Sequence, residues 1–435
     1  MFLLIFAEQK CINPQKRSLA MVVQRHIYLQ ELIKRKHNGM IKVITGIRRC
    51  GKSFLLFNLF ADYLIEQGVH EDHIVKIDLE DRRNRSLRNP DRLLAHIDDR
   101  LKDEAMYYIL LDEVQLVSEF EDVLNSYLKV PNADVYVTGS NSRFLSKDVI
   151  TEFRGRGDEV KIAPLSFSEY LSVANTSQEQ AFRDYIVYGG LPIVALTSDN
   201  AQKEKYLKDL FETVYLRDIK ERYHIKQEKE MEEVINVLAS SIGGLTNPTN
   251  LQNTFKSVKN IDISKNTIIS YLDILQDVFM VEKSVHYDIK GKRYIDTPSK
   301  YFFEDLGLRN ARLNFRQIEE THLMENLIYN ELRRRGFSVD VGEVTINEQT
   351  GDGKKIRKQL EVDFVCNQGF KRYYVQSVFS IADDEKREQE LKSLRQIKDS
   401  FQKIVITGSD SPRYQNDDGI LFMSIYDFLT RDSLN

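Results

Sequence analysis

The chain is short of cysteine, of proline and of any long apolar run, and each shortage removes a class of protein. Its three cysteines, Cys11, Cys50 and Cys366, are odd in number and far apart. They offer neither a disulfide framework nor the paired spacing of a zinc site, and reduced thiols fit a cytoplasmic protein. With 8 Pro and 20 Gly in 435 residues, nothing suggests extended disorder. The apolar stretch Phe2 to Ala7 is far too short to cross a bilayer, so no membrane partner is expected. Neither sign of charge dominates: 62 Lys and Arg against 66 Asp and Glu give a formal net charge of -4. Binding to nucleic acid would therefore have to come from a local patch.

What is present is enough apolar material, 42% of residues, for a sizeable core. The length suggests roughly three domains. Residues 1–20 read as an extension, with Met21 opening the folded part. The chain is then organised around Gly46-Ile47-Arg48-Arg49-Cys50-Gly51-Lys52-Ser53, a complete phosphate-binding loop. An apolar strand, Ile41 to Thr45, leads into it, and an amphipathic helix, Phe54 to Gln67, follows. Gly46 and Gly51 permit the backbone turn that points amides at phosphates, and the helix N-terminus adds a positive dipole end. Lys52 is expected on the β- and γ-phosphates of ATP and Ser53 on Mg2+. Cys50 lies near the helix N-terminus and two arginines, conditions that activate a thiol, although an ordinary variable loop position is the simpler reading.

A second strand, His73 to Leu79, and a third, Tyr107 to Leu111, both end in acids. The third runs into Asp112-Glu113. In a phosphate-loop protein this pair assigns Asp112 to the metal and leaves Glu113 to orient and deprotonate water. The strand Asp134 to Thr138 ends near Ser140 and Asn141, either of which can hydrogen-bond the attacking water or serve only as a turn cap. Arg154 and Arg156 are candidates for an arginine finger reaching a neighbouring copy in a homo-oligomer, or are surface arginines.

These residues resemble, from 21 to about 310 and more loosely beyond, bacterial and archaeal predicted ATPases of the AAA+ superfamily that carry a domain of unknown function after the ATPase core. The resemblance rests on GIRRCGKS at Gly46 to Ser53, LLDEVQ at Leu110 to Gln115, TGSNS at Thr138 to Ser142, GR at Gly155-Arg156 and PLSFSEYL at Pro164 to Leu171. YGGLP at Tyr188 to Pro192, YLRDI at Tyr215 to Ile219 and YFFEDLGLRNA at Tyr301 to Ala311 extend it. It implies an α/β fold with an AAA+-type P-loop core over residues 21–165 and a helical lid over 166–230. Within that lid Arg217 and Asp218 match a recurring pair, with Arg217 either touching nucleotide or pairing across the lid.

Residues 231–310 read as three short helices and a hairpin, Val278 to Ile295, whose turn carries Lys290, Lys292 and Arg293. This is the outline of a winged helix, with Lys265, Asn266 and Ser270 directed at DNA or at a protein partner. Residues 311–435 follow the order of the restriction-endonuclease-like fold, with Glu325 on a helix, Asp363 on a strand and Gln376 at the third position. Val378 stands where that fold needs lysine, so the domain reads as a degenerate nuclease unless Lys371 or Lys392 fills the gap. The expected activity is Mg2+-dependent ATP hydrolysis driving a conformational switch, on DNA or in a nucleotide-regulated protein-interaction module. An ATP-controlled nuclease is the third reading.

Overall fold

The computed structural model describes residues 23–139, 155–349, 355–379, 384–431 and 433–434. Two sheets dominate it. The first has five strands: β1 (Ile41–Thr45), β2 (Ile74–Asp78), β3 (Tyr107–Asp112), β4 (Ala133–Thr138) and β5 (Gly157–Lys161). All pairings are parallel, in the order β2-β3-β4-β1-β5. A parallel sheet must be covered on both faces, which is why β1 and β3 are buried at every residue and read as unbroken apolar runs. Alternation along the strands divides two cores. Val43, Ile77, Ile109, Leu111 and Val137 face the helices Pro90–Asp98 and Phe120–Tyr127, whereas Ile44, Leu110 and Tyr136 face the helix after the loop.

That helix runs continuously through Lys52–Phe54, Leu55–Phe60 and Ala61–Glu66, its middle segment being π-helical. Helices Phe167–Val173, Gln178–Tyr188 and Asn200–Leu210 follow the core, and the last continues through a π-helical segment, Phe211–Leu216, into Arg217–Arg222. Ser166 opens this region with a complete capping box with Glu169, so the PLSFSEYL motif is partly a helix start signal. No helix among the described residues is long and apolar enough to cross a membrane.

The second sheet has eight strands in the order β12-β13-β11-β10-β9-β8-β6-β7. Its members are β6 (Val281–Asp288), β7 (Arg293–Phe303), β8 (Ser338–Gln349), β9 (Lys355–Gln368), β10 (Lys371–Val378), β11 (Gln402–Thr407), β12 (Tyr414–Gln415) and β13 (Leu421–Ser424). Helices Glu228–Ser240, Pro248–Thr254 and Lys265–Asp277 do precede the hairpin β6–β7. The hairpin does not stand alone as a wing, however. β6 pairs in parallel with β8 through His286–Val341, Tyr287–Gly342 and Asp288–Glu343, so a single sheet crosses the boundary expected at 310/311. Sequence periodicity marks strands but not partners, and this pairing joins residues more than fifty positions apart.

The two sheets are stitched together by charge. Lys161, the last residue of β5, pairs with Glu304 and lies 3.6 Å from Glu282, which accepts from Arg333 at 2.7 Å.

Candidate functional site

The strand β1 delivers its loop at the C-terminal edge of the first sheet, beside the ends of β3 and β4. Gly46 has φ 138°, and a side chain there would come within 2.1 Å of the Ile162 carbonyl oxygen, so only glycine allows the loop to pass β5 this closely. Gly51 (φ 101°) and Arg49 (φ 66°) also take left-handed conformations, turning the chain back on itself before the helix starts. Ile47 is buried, Arg48 half-buried and Arg49 exposed. The Cys50 thiol is wholly buried and donates to Ile162 O at 3.6 Å, which keeps it from reagents in solution.

Lys52 is 5% exposed, and its ammonium is held inside the loop by the carbonyls of Gly46 (2.9 Å) and Ile47 (3.1 Å). Ser53 Oγ donates to Asp112 Oδ1 at 2.9 Å, joining the loop to the end of β3. Thr138, the last residue of β4, donates to the same Asp112 oxygen at 2.5 Å and accepts the Glu113 amide at 3.0 Å. Glu113 itself takes a left-handed backbone (φ 53°), and its carboxylate accepts from Gln115. Burial pushes the Asp112 carboxyl up to about 6, with Glu113 and Asp78 adding to the rise and the Thr138 and Ser53 hydroxyls opposing it. A buried carboxylate held by two hydroxyls is short of positive charge. Hard oxygen donors of this kind fit Mg2+, which takes one or two carboxylates and completes its shell with phosphate and water. Ser53 and Asp112 would hold it.

Four further sequence candidates are not seen at this strand end. Ser140 and Asn141, and Arg154 with them, lie outside the described residues; within them Thr138 is the polar group between β3 and β1. Arg156 sits at the opposite end of the sheet: its carbonyl accepts from Ile41 N at 2.9 Å at the start of β1, and its side chain is exposed. It is remote from the loop of its own chain.

The helix Asn200–Arg222 leans over the loop, and its contacts differ from those the sequence suggested. Arg217 points to solvent, 70% exposed, with Glu221 at 3.8 Å on its own helix. The neighbouring Asp218 is the residue that engages the site, accepting from Arg48 at 3.1 Å and pairing with Arg222 at 3.1 Å. Tyr215 OH donates to Arg48 O at 2.9 Å. The Nη1 of Arg222 is buried without a partner; burial lowers the guanidinium's proton affinity, and the charges of Asp218, Arg48 and Glu113 all reach it. Tyr215 and Arg222 were missed because an amphipathic helix shows which face is apolar but not which loop that face covers.

Glu325 on the helix Glu320–Arg334 and Asp363 on β9 lie close together, but neither proposed lysine is near. Lys371 is exposed at the start of β10, and Lys392 pairs with Glu348. Val378 is buried in the core, 7% exposed. Gln376 is engaged: its Oε1 accepts from Asp363 N at 3.3 Å and its Nε2 donates to Glu390 at 3.2 Å. The lysine at these acids is Lys300 of β7, which donates to Glu325 (2.7 Å) and Glu361 (2.6 Å).

Residues 38–171 match the model of the AAA domain, and residues 179–319 match a domain of unknown function, DUF8612. An uncharacterized protein of Haemophilus influenzae is 34% identical over 414 residues, spanning 94% of this chain and 98% of that protein. An uncharacterized protein of Methanocaldococcus jannaschii is 28% identical over 404 residues, 90% of this chain and 85% of that protein. Among solved structures, the Aeropyrum pernix ORC1 protein in complex with DNA covers 67% of this chain and 92% of its own at 13% identity, with a TM-score of 0.29 that carries no argument about function. With a parallel P-loop sheet, an AAA match over it and a full-length relative above 30% identity, the chain belongs to the family of AAA-domain proteins in which a DUF8612 domain follows the AAA domain.

Proposed function

We propose that this chain binds ATP with Mg2+ and hydrolyses it, and that the cycle changes how the helix Asn200–Arg222 sits on the phosphate loop. The observation that carries this is the 2.9 Å contact between Ser53 and Asp112, with Glu113 next in the chain. It brings a loop hydroxyl, a metal carboxylate and a second carboxylate to one strand end. The amides of Gly46 to Ser53 cradle the phosphates. Lys52 exchanges its two loop carbonyls for phosphate oxygens, so its charge is already aimed when nucleotide arrives. Ser53 and Asp112 would hold Mg2+, which would supply positive charge against the charge of the transferring phosphoryl group. Glu113 takes the proton of the attacking water, and Ser140 or Asn141 orients that water. Arg156, remote from its own loop, acts only on the nucleotide of a neighbouring copy in a homo-oligomer.

Nucleotide also competes for Arg48, whose partner is Asp218, and that competition would transmit binding to the lid. Phosphate release measured with ATP and Mg2+, then with chelator, tests the proposal; release that ignores the chelator would end it. The helix Lys265–Asp277 presents Lys265, Asn266 and Ser270 to solvent. An exposed face of this kind can serve a DNA-coupled switch; stimulation of turnover by DNA, lost at raised salt, is its test, and turnover indifferent to DNA leaves the protein-directed one.

A further inference from the structure

We propose that the face of the second sheet turned away from Lys300 binds single-stranded nucleic acid, with bases stacked on Tyr294, Phe370 and Phe401 and phosphates held by Arg372 and the exposed basic residues beside each ring. Three observations carry the inference. The first is where aromatic rings meet solvent. Among the described residues four aromatic side chains are exposed, Tyr294 (60%), Phe370 (92%), Phe401 (39%) and Tyr414 (42%), and all four lie on the second sheet or in its connections. Phe370 follows Gly369 (φ 59°) in the turn between β9 and β10, where small polar residues are the usual choice. At its exposure it buries almost nothing, so neither the turn nor the core accounts for a ring there.

The second observation is that these rings belong to a continuous strip. The Tyr294 ring lies 5.2 Å from that of Tyr287, and the Arg372 guanidinium sits 5.2 Å from the centre of the Tyr287 ring and 5.6 Å from that of Phe401. The strip therefore runs from β7 over β6 to the start of β10 and on to the residue before β11, with Phe370 two residues ahead of Arg372. Its parts are held in place without a ligand. Tyr287 is buried, Arg372 Nε donates to Asn367 Oδ1 at 2.7 Å, and Tyr294 OH donates to Asp340 at 3.4 Å. A platform ordered in advance loses little freedom on binding. His286, next to Tyr287 along β6, turns to the other face, where Glu361 and Lys300 act on it, so the sheet itself separates the strip from those acids.

The third observation is charge. Each exposed ring of the strip has cations beside it in the chain: Lys292 and Arg293 before Tyr294, Lys371 and Arg372 after Phe370, and Lys398 before Phe401. In the segments 290–293, 369–371 and 398–400 the exposed ionised side chains are Lys290, Lys292, Arg293, Lys371 and Lys398 against Asp399 alone, and Asp399 accepts from Tyr374 OH at 2.6 Å. In a chain of net charge -4 this is a local basic border. The cores of protein–protein interfaces are poor in lysine, and a duplex keeps the faces of its bases stacked inside. Rings set between cations fit unpaired bases on a phosphate backbone, and the Arg372 plane can stack on a base as the rings do.

The test uses the full chain without nucleotide. Fluorescent oligomers of thymidine and of uridine, about 16 nucleotides long, are titrated by anisotropy beside a matched duplex. The expected result is single-strand binding at least about 10-fold tighter than duplex binding, weakening steeply with salt. The two oligomers tell DNA from RNA, and binding of either supports the proposal. Tyr294→Ala, Phe370→Ala and Phe401→Ala should each weaken binding by about 10-fold, whereas Tyr294→Phe keeps it, because the ring and not the hydroxyl stacks. Lys371→Gln combined with Lys398→Gln should make the salt dependence shallower and leave the preference for single strands. These side chains are exposed, and circular dichroism checks that each variant is folded. Absence of binding overturns the proposal, as does a preference for duplex or affinity indifferent to Tyr294→Ala and Phe401→Ala. Loss of binding in Lys265→Gln with the ring variants intact would move the strand to the helix Lys265–Asp277 and overturn it too. A protein that needs these rings while neither oligomer binds would make the face a protein interface instead.

Discussion

Arg48 of the phosphate-binding loop and Asp218 of the helix above it form a 3.1 Å ion pair across 170 residues of sequence. Both side chains are roughly three-tenths exposed, at 31% and 27%, so the pair is modest in strength, about 1 kcal/mol. Its importance is its location, because the same arginine belongs to the loop proposed above to hold the phosphates. Asp218→Ala should loosen the helix without unfolding the core. Hydrogen exchange of residues 200–222 is expected to accelerate several-fold in the absence of nucleotide, and unchanged exchange would remove the pair from any switching role.

Lys52→Ala should weaken binding of a non-hydrolysable ATP analogue by about 100-fold, the worth of one or two charge-assisted contacts. Calorimetry reads this directly. The protein should remain folded, since the loop carbonyls of Gly46 and Ile47 can turn to water when the ammonium is gone.

Glu113→Gln should keep nucleotide affinity within a few-fold and lower turnover by about 100- to 10,000-fold, the usual contribution of a positioned base. Normal single-turnover rates in this variant would take Glu113 out of the proposed reaction. Retained binding with arrested turnover would also make it the form with which to capture partners.

Asp305 is 2% exposed and accepts from the amides of Gly190 (2.8 Å) and Leu308 (3.0 Å). Burial raises its carboxyl to about 6 against the opposition of these bonds. A carboxyl whose folded value is raised binds its proton more tightly in the folded chain, so folding stability falls as pH rises from about 4 to about 6 and is level above that. The loss over this window is about 3 kcal/mol. Denaturation midpoints of wild type and Asp305→Asn, compared across that range, should diverge by this amount; parallel curves would refute it.

Lys161→Met removes the partner of Glu304, whose side chain is 9% exposed, and leaves it beside Glu282. Because the Lys161 side chain is itself 34% exposed, the cost falls below that of a fully buried pair, at about 1–3 kcal/mol, most of it from the carboxylate left without its partner. Chemical denaturation should show it. The double change Lys161→Met with Glu304→Leu should restore much of the loss, because it removes the orphaned charge.

Legibility in the sequence followed distance along the chain. Gly46 to Ser53 could be read because its chemistry lies within eight residues and its flanks announce a strand and a helix. Asp112 and Glu113 could be read because an apolar strand ends there. Lys300 could not: it meets Glu325 and Glu361 only because β6 pairs with β8, and no local pattern encodes that pairing. The same limit applies to Arg217 and Asp218. Adjacent residues on a helix point about 100° apart, and which one meets the loop is fixed by how the helix docks.

The parallel pairing of β6 with β8 has a mechanical consequence. Each strand is paired with its neighbour all the way from β12 to β7, so the hairpin is tied to the strands that follow. One side of that sheet is held by the Lys161 contact at the end of β5, the strand beside the loop strand β1. At the other side the helix Ile425–Thr430, which follows β13, rests on the helices after the first sheet, with Ser168 Oγ donating to Leu429 O at 2.8 Å and the rings of Phe182 and Tyr426 5.0 Å apart, so the second sheet is moored at both flanks rather than hung from one.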